Sequence, residues 1–312
     1  MTFQPKDTDI DTSSDNSLQF ADPTPGVPVL LALVIVGMII GQLVMGLILI
    51  GGGIEILNIE EQTNLSQSKR YILRIGLLIS HIMTFIVPSI IFAKAYKKHS
   101  IKDYFFQGRS FSFSSLMIWG VIILFSYPLL AQLTLWNSQV PLADWMTSSQ
   151  EDSVWLLQQT LNMESIPELV LSLCLVGIAA AVGEELIFRG ILQRYFTQNL
   201  SPHIGIILGS LIFGAFHLQL SRLLPLAFLG LILGYSYYYT RSIWVPILLH
   251  LVNNGFQTIG AYFTVKAGEL PNIEEIPDIN PIAVIVSTVI MSALAYWAIK
   301  NSPIKYESGS QV

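Results

Sequence analysis

Long apolar stretches are the feature that most constrains how this 312-residue chain can fold. A helix needs about 20 mostly apolar residues to cross the hydrocarbon core of a bilayer. The stretches show no alternation of period two, so we expect helices rather than barrel strands, because lipid forces each backbone group to bond within its own segment. Eight stretches qualify or nearly qualify: 27–52, 71–94, 114–136, 166–196, 202–220, 223–240, 243–265 and 280–299.

Charge is scarce along the whole chain. Asp, Glu, Lys and Arg make up 12% of it, about half the roughly 25% of a soluble domain. This composition excludes a soluble globular enzyme, a disordered protein and a basic nucleic-acid binder, and the net charge of −5 argues against a nucleic-acid partner. We therefore predict an all-α fold, a polytopic membrane helix bundle of about eight transmembrane helices embedded in the lipid bilayer. The single cysteine, Cys174, excludes an intrachain disulfide.

Two short tails are predicted to flank the bundle. Residues 1–26 hold five Asp and one Lys and are rich in Ser, Thr and Pro, which is typical of a disordered acidic tail and unlike a signal peptide. Residues 27–300 form the predicted transmembrane bundle, and residues 301–312 form a short C-terminal tail. Within the loop 137–165, the segment Ser153–Met163 is predicted to form a short interfacial helix.

The distribution of Lys and Arg predicts the orientation of the bundle. With both termini in the cytoplasm, the inside segments hold 11 of these residues and the outside segments hold 5. The outside loops 137–165 and 266–279 are acidic, whereas the basic loop Lys94–Arg109 would face anionic cytoplasmic lipid. We predict a multi-pass integral membrane protein with both termini cytoplasmic, placed in the cytoplasmic membrane if the host is bacterial.

Polar and ionisable side chains interrupt four of the predicted spans. Such groups are expensive in a bilayer and usually functional. They are Glu184, Glu185 and Arg189 in the fourth span, His217 in the fifth, His250 and Asn254 in the seventh, and His81 in the second.

Helical spacing sorts the residues of the fourth span. Residues four apart share a helix face, so Glu185 and Arg189 can pair. Adjacent positions diverge by about 100°, so Glu184 faces a different neighbour. Glu184 is then a second intramembrane carboxylate with no partner on its own helix, and a structural role would not offset the cost of burying it. A lone membrane histidine often only bonds a neighbouring helix, and we expect this of His81.

Depth along the helices brings the other polar residues together. Glu184 lies 15 residues before Asn199, and His217 lies 16 after Ser201, which is ~23 and ~24 Å along antiparallel helices. The polar residues of the seventh span fall ~14 and ~20 Å from the turn near Arg241, on the same side of the membrane. We therefore expect one shared site. Its predicted members are Glu184, His217, His250 and Asn254.

Three motifs on these spans resemble those of a known family. EELIFRG (184–190) resembles EExxxR, FGAFH (213–217) resembles FxxxH, and HLVNN (250–254) resembles HxxxN. These are the motifs of the CPBP family, which includes CAAX prenyl endopeptidases and bacteriocin-processing or immunity (Abi) proteins. The motif-bearing core covers about 166–265.

The resemblance implies an intramembrane endopeptidase whose active site opens toward the cytoplasm. By position, Glu184 and His217 would activate the water, and His250 and Asn254 would stabilise the oxyanion. Glu185 and Arg189 match the supporting positions of the first motif, and a supporting pair of this kind fits their spacing. Peptide hydrolysis needs such a base and such oxyanion donors.

The same residues fit either a metal-free or a zinc-dependent protease. One Glu and two His also form a hydrolytic zinc set, here Glu184, His217 and His250. The HExxH motif is absent, and these residues lie on three separate helices. We favour a glutamate-type protease without a cofactor and keep a zinc-dependent metalloprotease as the alternative.

Two other functions remain open on sequence. A non-catalytic immunity or scaffold protein would use the same fold to bind a partner. A proton-coupled transporter would also place Glu and His in spans, although the chain lacks the internal repeats typical of transporters. For a protease, the expected substrate is a membrane-associated peptide or protein. No pattern in the sequence sets an oligomeric state.

Overall fold

The computed structural model describes residues 26–54, 64–106, 111–272 and 279–302. Within these ranges the chain forms ten helices, one short 3-10 turn at Leu220–Arg222 and no strand, so the predicted all-α bundle is confirmed. The helices are α1 (Val27–Gly51), α2 (Gln67–Tyr96), α3 (Ile101–Phe105), α4 (Phe113–Ser138), α5 (Asp144–Leu161), α6 (Ile166–Asn199), α7 (Pro202–Phe216), α8 (Leu223–Thr240), α9 (Trp244–Lys266) and α10 (Pro281–Lys300). Nearly all of the predicted tails, 1–25 and 303–312, lies outside the described residues.

Among the described residues, six helices rather than eight are both long enough and apolar enough to span a bilayer. These are α1, α2, α4, α6, α8 with its preceding turn, and α10. The fifth predicted span, α7, has 15 residues, or roughly 22 Å, and is shorter than the ~30 Å hydrocarbon core. The seventh, α9, has 23 residues, but its His, Asn and Gln residues lower its hydropathy. Eight was therefore an approximate count.

Helix α5 is longer than the interfacial helix predicted at 153–163. It covers 18 residues of the loop between α4 and α6. Trp155 and Leu156 pack against a small apolar cluster that includes Leu49, Leu65 and Leu73, at the adjoining ends of α1 and α2. This loop is therefore mostly a helix that covers one end of the bundle.

Contacts between loops define two opposite ends of the bundle. At one end, Arg194 Nη1 donates to the Tyr104 carbonyl at 3.0 Å, and the Phe106 and Trp244 rings lie 4.8 Å apart. We call this end the lysine face; it holds residues 97–106, 199–202 and 240–244. At the other end, Asn137 Nδ2 donates to the carbonyl of residue 220 at 2.9 Å. We call that end the α5 face; it holds residues 138–165, 217–222 and 266–272.

Helix α6 carries the functional segment between two π-helical turns. The turns cover Leu173–Ala179 and Phe188–Gln193 and leave a regular stretch, Ala180–Ile187, between them. π-turns re-aim side chains and are frequent at functional sites. Gly183 also allows α2 to come close, because a Cβ there would lie 2.8 Å from the Cβ of Phe85.

Candidate active site

Three predicted site residues meet inside the bundle. Glu184 Oε2 lies 3.8 Å from His217 Nε2 and 4.0 Å from His250 Nε2. The Glu184 and His250 side chains are almost fully buried, whereas His217 is 28% exposed. The side chains come from α6, from the residue that ends α7, and from α9, so tertiary packing alone brings them together.

Hydrogen bonds fix the tautomer of both histidines. His217 Nδ1 lies 2.9 Å from the Phe213 carbonyl, and His250 Nδ1 lies 2.8 Å from Glu185 Oε1. A carbonyl and an ionised carboxylate only accept, so each Nδ1 carries a proton and each Nε2 is turned toward Glu184. Glu184 Oε2 is itself buried and has no hydrogen-bond partner among the described residues. A water molecule bound among these three atoms would satisfy that oxygen.

Glu185 and Arg189 form the predicted pair and support this cluster. Arg189 Nη1 donates to Glu185 Oε1 at 3.0 Å, and its Nη2 donates to the Gly230 carbonyl of α8 at 2.9 Å. The guanidinium also lies 4.6 Å from the centre of the Phe213 ring of α7. Glu185 thus bonds α9 through His250 while Arg189 bonds α8, and the four helices of the site are joined by one buried ion pair.

Asn254 lies one helical turn beyond His250, and its amide is engaged elsewhere. Its Nδ2 donates to the Val176 carbonyl at 2.8 Å, and its Oδ1 accepts from Asn253 Nδ2 at 3.0 Å. Val176 lies in the first π-turn of α6. The structure therefore brings Glu184, His217 and His250 together and places the donor of Asn254 on a backbone carbonyl, where it links α9 to α6.

His81 lies closer to the site than its treatment as an isolated histidine suggested. Its Nε2 is buried with no hydrogen-bond partner among the described residues, and a Cβ on Gly183 would lie 3.4 Å from it. The ring stacks on Phe85 with centroids 4.4 Å apart. The sequence signal for this placement was the glycine directly before Glu184, which permits the close approach of α2.

A second buried charge cluster, near the α5 face, was missed by the sequence analysis. Glu168 accepts from Arg70 Nε at 3.1 Å and from Arg74 Nη1 at 3.0 Å. Arg74 also donates to the carbonyls of Thr160 and Asn162 at 3.1 and 2.7 Å. Both arginines are among the five Lys and Arg residues counted for the outside segments, but they are buried and neutralised between α2, α5 and α6. Glu168, an acid in the first turn of a predicted span, was the available signal.

Glu184, His217 and His250 have the chemistry of zinc ligands but not the spacing of a bound set. One carboxylate oxygen and two histidine nitrogens suit zinc, and the second nitrogen of each ring is held by an acceptor, as zinc sites require. Zinc–ligand bonds of ~2.0–2.1 Å would place two ligand atoms of a tetrahedral site about 3.4 Å apart. Glu184 Oε2 lies farther than this from the two histidine nitrogens, at 3.8 and 4.0 Å. In the described part of the chain, no three His, Cys, Asp or Glu residues are grouped to ligate a metal as they stand.

The fold and the buried Glu–His cluster define the class: a multi-pass integral membrane protein with a polar site inside its helix bundle. The family model described as "Type II CAAX prenyl endopeptidase Rce1-like" matches residues 166–256. This range contains all three motifs, so the resemblance seen in the sequence is confirmed for this segment.

Curated relatives match about a third of the chain. It is 31% identical over 97 residues to the "Putative membrane peptidase YdiL" of Bacillus subtilis, covering 31% of this chain and 38% of the relative. It is 36% identical over 93 residues to an "Uncharacterized 24.3 kDa protein" of Escherichia coli, covering 28% and 43%. It is 30% identical over 112 residues to "Uncharacterized protein YpbD" of B. subtilis, covering 35% and 53%. The similarity thus spans about half or less of each relative. No solved structure is significantly similar to this chain.

Proposed function

We propose that this chain is an intramembrane endopeptidase that hydrolyses peptide bonds of membrane-associated proteins or peptides. The observation that carries the proposal is the buried Glu184 Oε2, without a hydrogen-bond partner among the described residues and facing the Nε2 atoms of His217 and His250. The match of residues 166–256 to a family of endopeptidases supports it.

In the proposed reaction, a water molecule binds beside Glu184 Oε2 and His217 Nε2. Glu184 accepts one of its protons as the water oxygen attacks the carbonyl carbon of the substrate. His217 accepts the second hydrogen bond of that water and orients it. Glu185 accepts from His250 Nδ1 and so holds the ring with Nε2 toward the reacting carbonyl, where His250 in its protonated form donates to the oxyanion. The proton on Glu184 then passes to the leaving amine as the C–N bond breaks.

Zinc is the alternative reading of the same residues. If bound, the ion would be held by Glu184, His217 and His250 and would supply Lewis-acid polarisation of the scissile carbonyl. We favour the metal-free route, because the spacing of these atoms is wider than a tetrahedral set requires. Purified protein that loses activity in 1,10-phenanthroline and regains it with stoichiometric zinc, measured by mass spectrometry, would establish the zinc alternative.

The decisive test compares the termini of membrane proteins between cells. Membrane fractions of cells that express the wild type or Glu184→Gln are analysed for new N-termini. We expect a set of termini that depends on Glu184, and a peptide spanning one such site then serves as the assay substrate. Glu164→Gln is the matched control, because Glu164 is 58% exposed beside Arg70 and outside the site.

The other functions predict different outcomes of the same experiment. If Glu184→Gln yields the same termini as the wild type, the protease proposal fails. If no termini depend on the protein, but Glu184→Gln still binds or protects a partner, the scaffold or immunity function is correct. Proton-coupled uptake in proteoliposomes that requires Glu184 would instead indicate a transporter.

A further inference from the structure

A small polar cavity lies at the lysine face, between the end of α6, the start of α7 and the end of α8. Its volume is about 170 Å³. A single water molecule needs far less space, whereas pockets for drug-sized ligands have ~300–1,000 Å³. The cavity therefore suits a small chemical group, or one part of a larger molecule.

Two arginines line this cavity from different helices. Arg194 belongs to α6, and Arg241 directly follows α8. Both guanidinium groups interact electrostatically with the hydroxyl of Tyr237, a buried residue that also lines the cavity. The two positive charges therefore act on one region of the cavity. None of the described residues that line it is acidic.

Both guanidinium groups are held in place by their surroundings. Arg194 is buried, and its Nη1 donates to the carbonyls of Tyr104 and Gly190 at 3.0 and 3.3 Å. The Arg241 guanidinium lies 5.0 Å from the centre of the Tyr238 ring. Side chains that are already ordered lose less conformational entropy when a ligand binds. The lining is therefore organised before any ligand arrives.

The chemistry of the lining matches an oxyanion with several oxygens. A guanidinium is a planar fork of N–H donors that can bind two oxygens of one phosphate or carboxylate. Gln198 and Tyr238 add an amide and a hydroxyl that can also donate. Two forks and these uncharged donors suit the three or more oxygens of a phosphate better than the two of a carboxylate.

The depth of the cavity indicates where such a phosphate is found. Trp244, at the lysine face, is 46% exposed, and α8 ends in the aromatic run 237–239 beside the cavity. Trp and Tyr are enriched at the level of the lipid headgroups. Lys98 and Lys102 are exposed at the same face. Basic pockets between membrane helices at this level bind the headgroups of anionic phospholipids.

We propose that this cavity is a phosphate-binding site formed by Arg194 and Arg241. At this depth the phosphate is that of an anionic phospholipid headgroup, and a soluble phosphate is the other source of the same chemistry. A bound headgroup would join the ends of α6 and α8. The site is separate from the Glu184 cluster, and it does not depend on the proposed peptidase activity.

Retention of lipid by the purified protein tests the site. The wild type is held in detergent micelles that contain phosphatidylglycerol and is analysed by native mass spectrometry. We expect one phosphatidylglycerol molecule to be retained. Oleate, an anionic lipid without phosphate, should not displace it. Displacement by equimolar oleate would show that the cavity selects charge alone and would overturn the assignment to phosphate.

Substitution of Arg241 tests the ligands of the phosphate. Arg241→Gln should weaken retention at least ~10-fold, because it removes a charged donor. Arg241→Lys keeps the charge without the fork and should give an intermediate effect. Lys98→Gln is the matched control and should retain lipid as the wild type does. Like Arg241, Lys98 has a left-handed backbone just beyond a helix, with φ of 57° against 55°, but it does not line the cavity.

The remaining outcomes separate a built site from general attraction and lipid from soluble phosphate. All three variants should unfold at the wild-type temperature without added lipid. Equal weakening by Lys98→Gln and Arg241→Gln would assign the attraction to the whole face and overturn the site. In a second arm, inorganic phosphate at constant ionic strength replaces the lipid. If it raises the unfolding midpoint of the wild type but not of Arg241→Gln, while both retain lipid equally, the lipid source is overturned.

Discussion

His250 Nδ1 donates to Glu185 Oε1 at 2.8 Å, and this bond turns the other nitrogen of the ring toward Glu184. The two adjacent carboxylates of α6 therefore have different surroundings. Glu185 Oε1 is held by both Arg189 and His250, whereas Glu184 Oε2 faces the two histidines and has no hydrogen-bond partner in the described part of the chain. The approximately 100° between consecutive helical residues makes this division of roles possible.

Glu185→Gln should impair both stability and activity. It leaves the buried Arg189 without its counter-charge, and breaking one partner of a buried pair costs about 3–5 kcal/mol. It also replaces the carboxylate that accepts from His250 Nδ1 and orients that ring. We expect a lower midpoint of thermal unfolding in detergent together with reduced kcat. Glu269→Gln, at an exposed position near the end of α9, serves as the control and should change neither. Unchanged unfolding of Glu185→Gln would contradict the pairing.

His217→Gln should reduce catalysis with little effect on folding. The side chain is partly exposed, and its only hydrogen bond within the described part of the chain is to the Phe213 carbonyl of the preceding turn, so few interactions are lost. General acid–base groups contribute about 10²- to 10⁴-fold. We expect kcat for the identified peptide to fall by at least ~10²-fold, with the thermal unfolding midpoint unchanged. His203→Gln, which removes a ring that bonds Tyr235, is a control histidine outside the site. Activity near the wild-type level in His217→Gln would refute the role of His217.

Asn254→Ala distinguishes two roles of Asn254, as a donor to the oxyanion and as a structural link between α9 and α6. The amide is bonded to the Val176 carbonyl, so its removal leaves that carbonyl without its side-chain partner. A lost hydrogen bond of this kind costs about 1–3 kcal/mol. We expect a lower unfolding midpoint and a loss of kcat below ~10-fold at a temperature where the variant is folded. A loss of ~10²-fold or more without destabilisation would show that Asn254 acts on the oxyanion, as the family resemblance implies.

Gly183→Ala should separate α2 from α6. The added Cβ would lie 2.8 Å from Phe85 Cβ and 3.2 Å from Ile86 Cγ1. Overpacking of this kind costs about 1–3 kcal/mol. Gly260→Ala is the matched control, since nothing lies within 4 Å of its added Cβ and Ala favours a helix. We expect the first variant to unfold at a lower temperature and the second to be equal or more stable. The reverse order would rule out tight contact at Gly183.

Glu168→Gln should destabilise the protein without acting on the chemistry. It leaves Arg70 and the fully buried Arg74 with reduced compensation, so we expect a loss of about 3–5 kcal/mol. Glu164→Gln removes the exposed partner of Arg70 and should cost at most ~1 kcal/mol. Both are measured by unfolding in detergent, and kcat of the folded fraction should equal that of the wild type. Equal stability of the two variants would show that the cluster is not a structural anchor.

Local sequence determined the helices and the main pairing at the site. The apolar stretches require helices because lipid offers no partner for backbone groups. The spacing of Glu185 and Arg189 predicted the ion pair that forms, since residues four apart share a face. Helical spacing also indicated that Glu184 would face a different neighbour from Glu185, because adjacent positions diverge by about 100°.

Tertiary structure alone decided what lies around that pair. The Asn254 amide reaches α6 instead of the acceptor cluster, His81 lies beside Gly183, and Arg74 is buried against Glu168. Each of these contacts joins residues that lie about 80 to 100 positions apart in the chain. Helical periodicity carries information over a few turns, so it fixes which face a side chain occupies. The neighbour that the face meets depends on how whole helices cross.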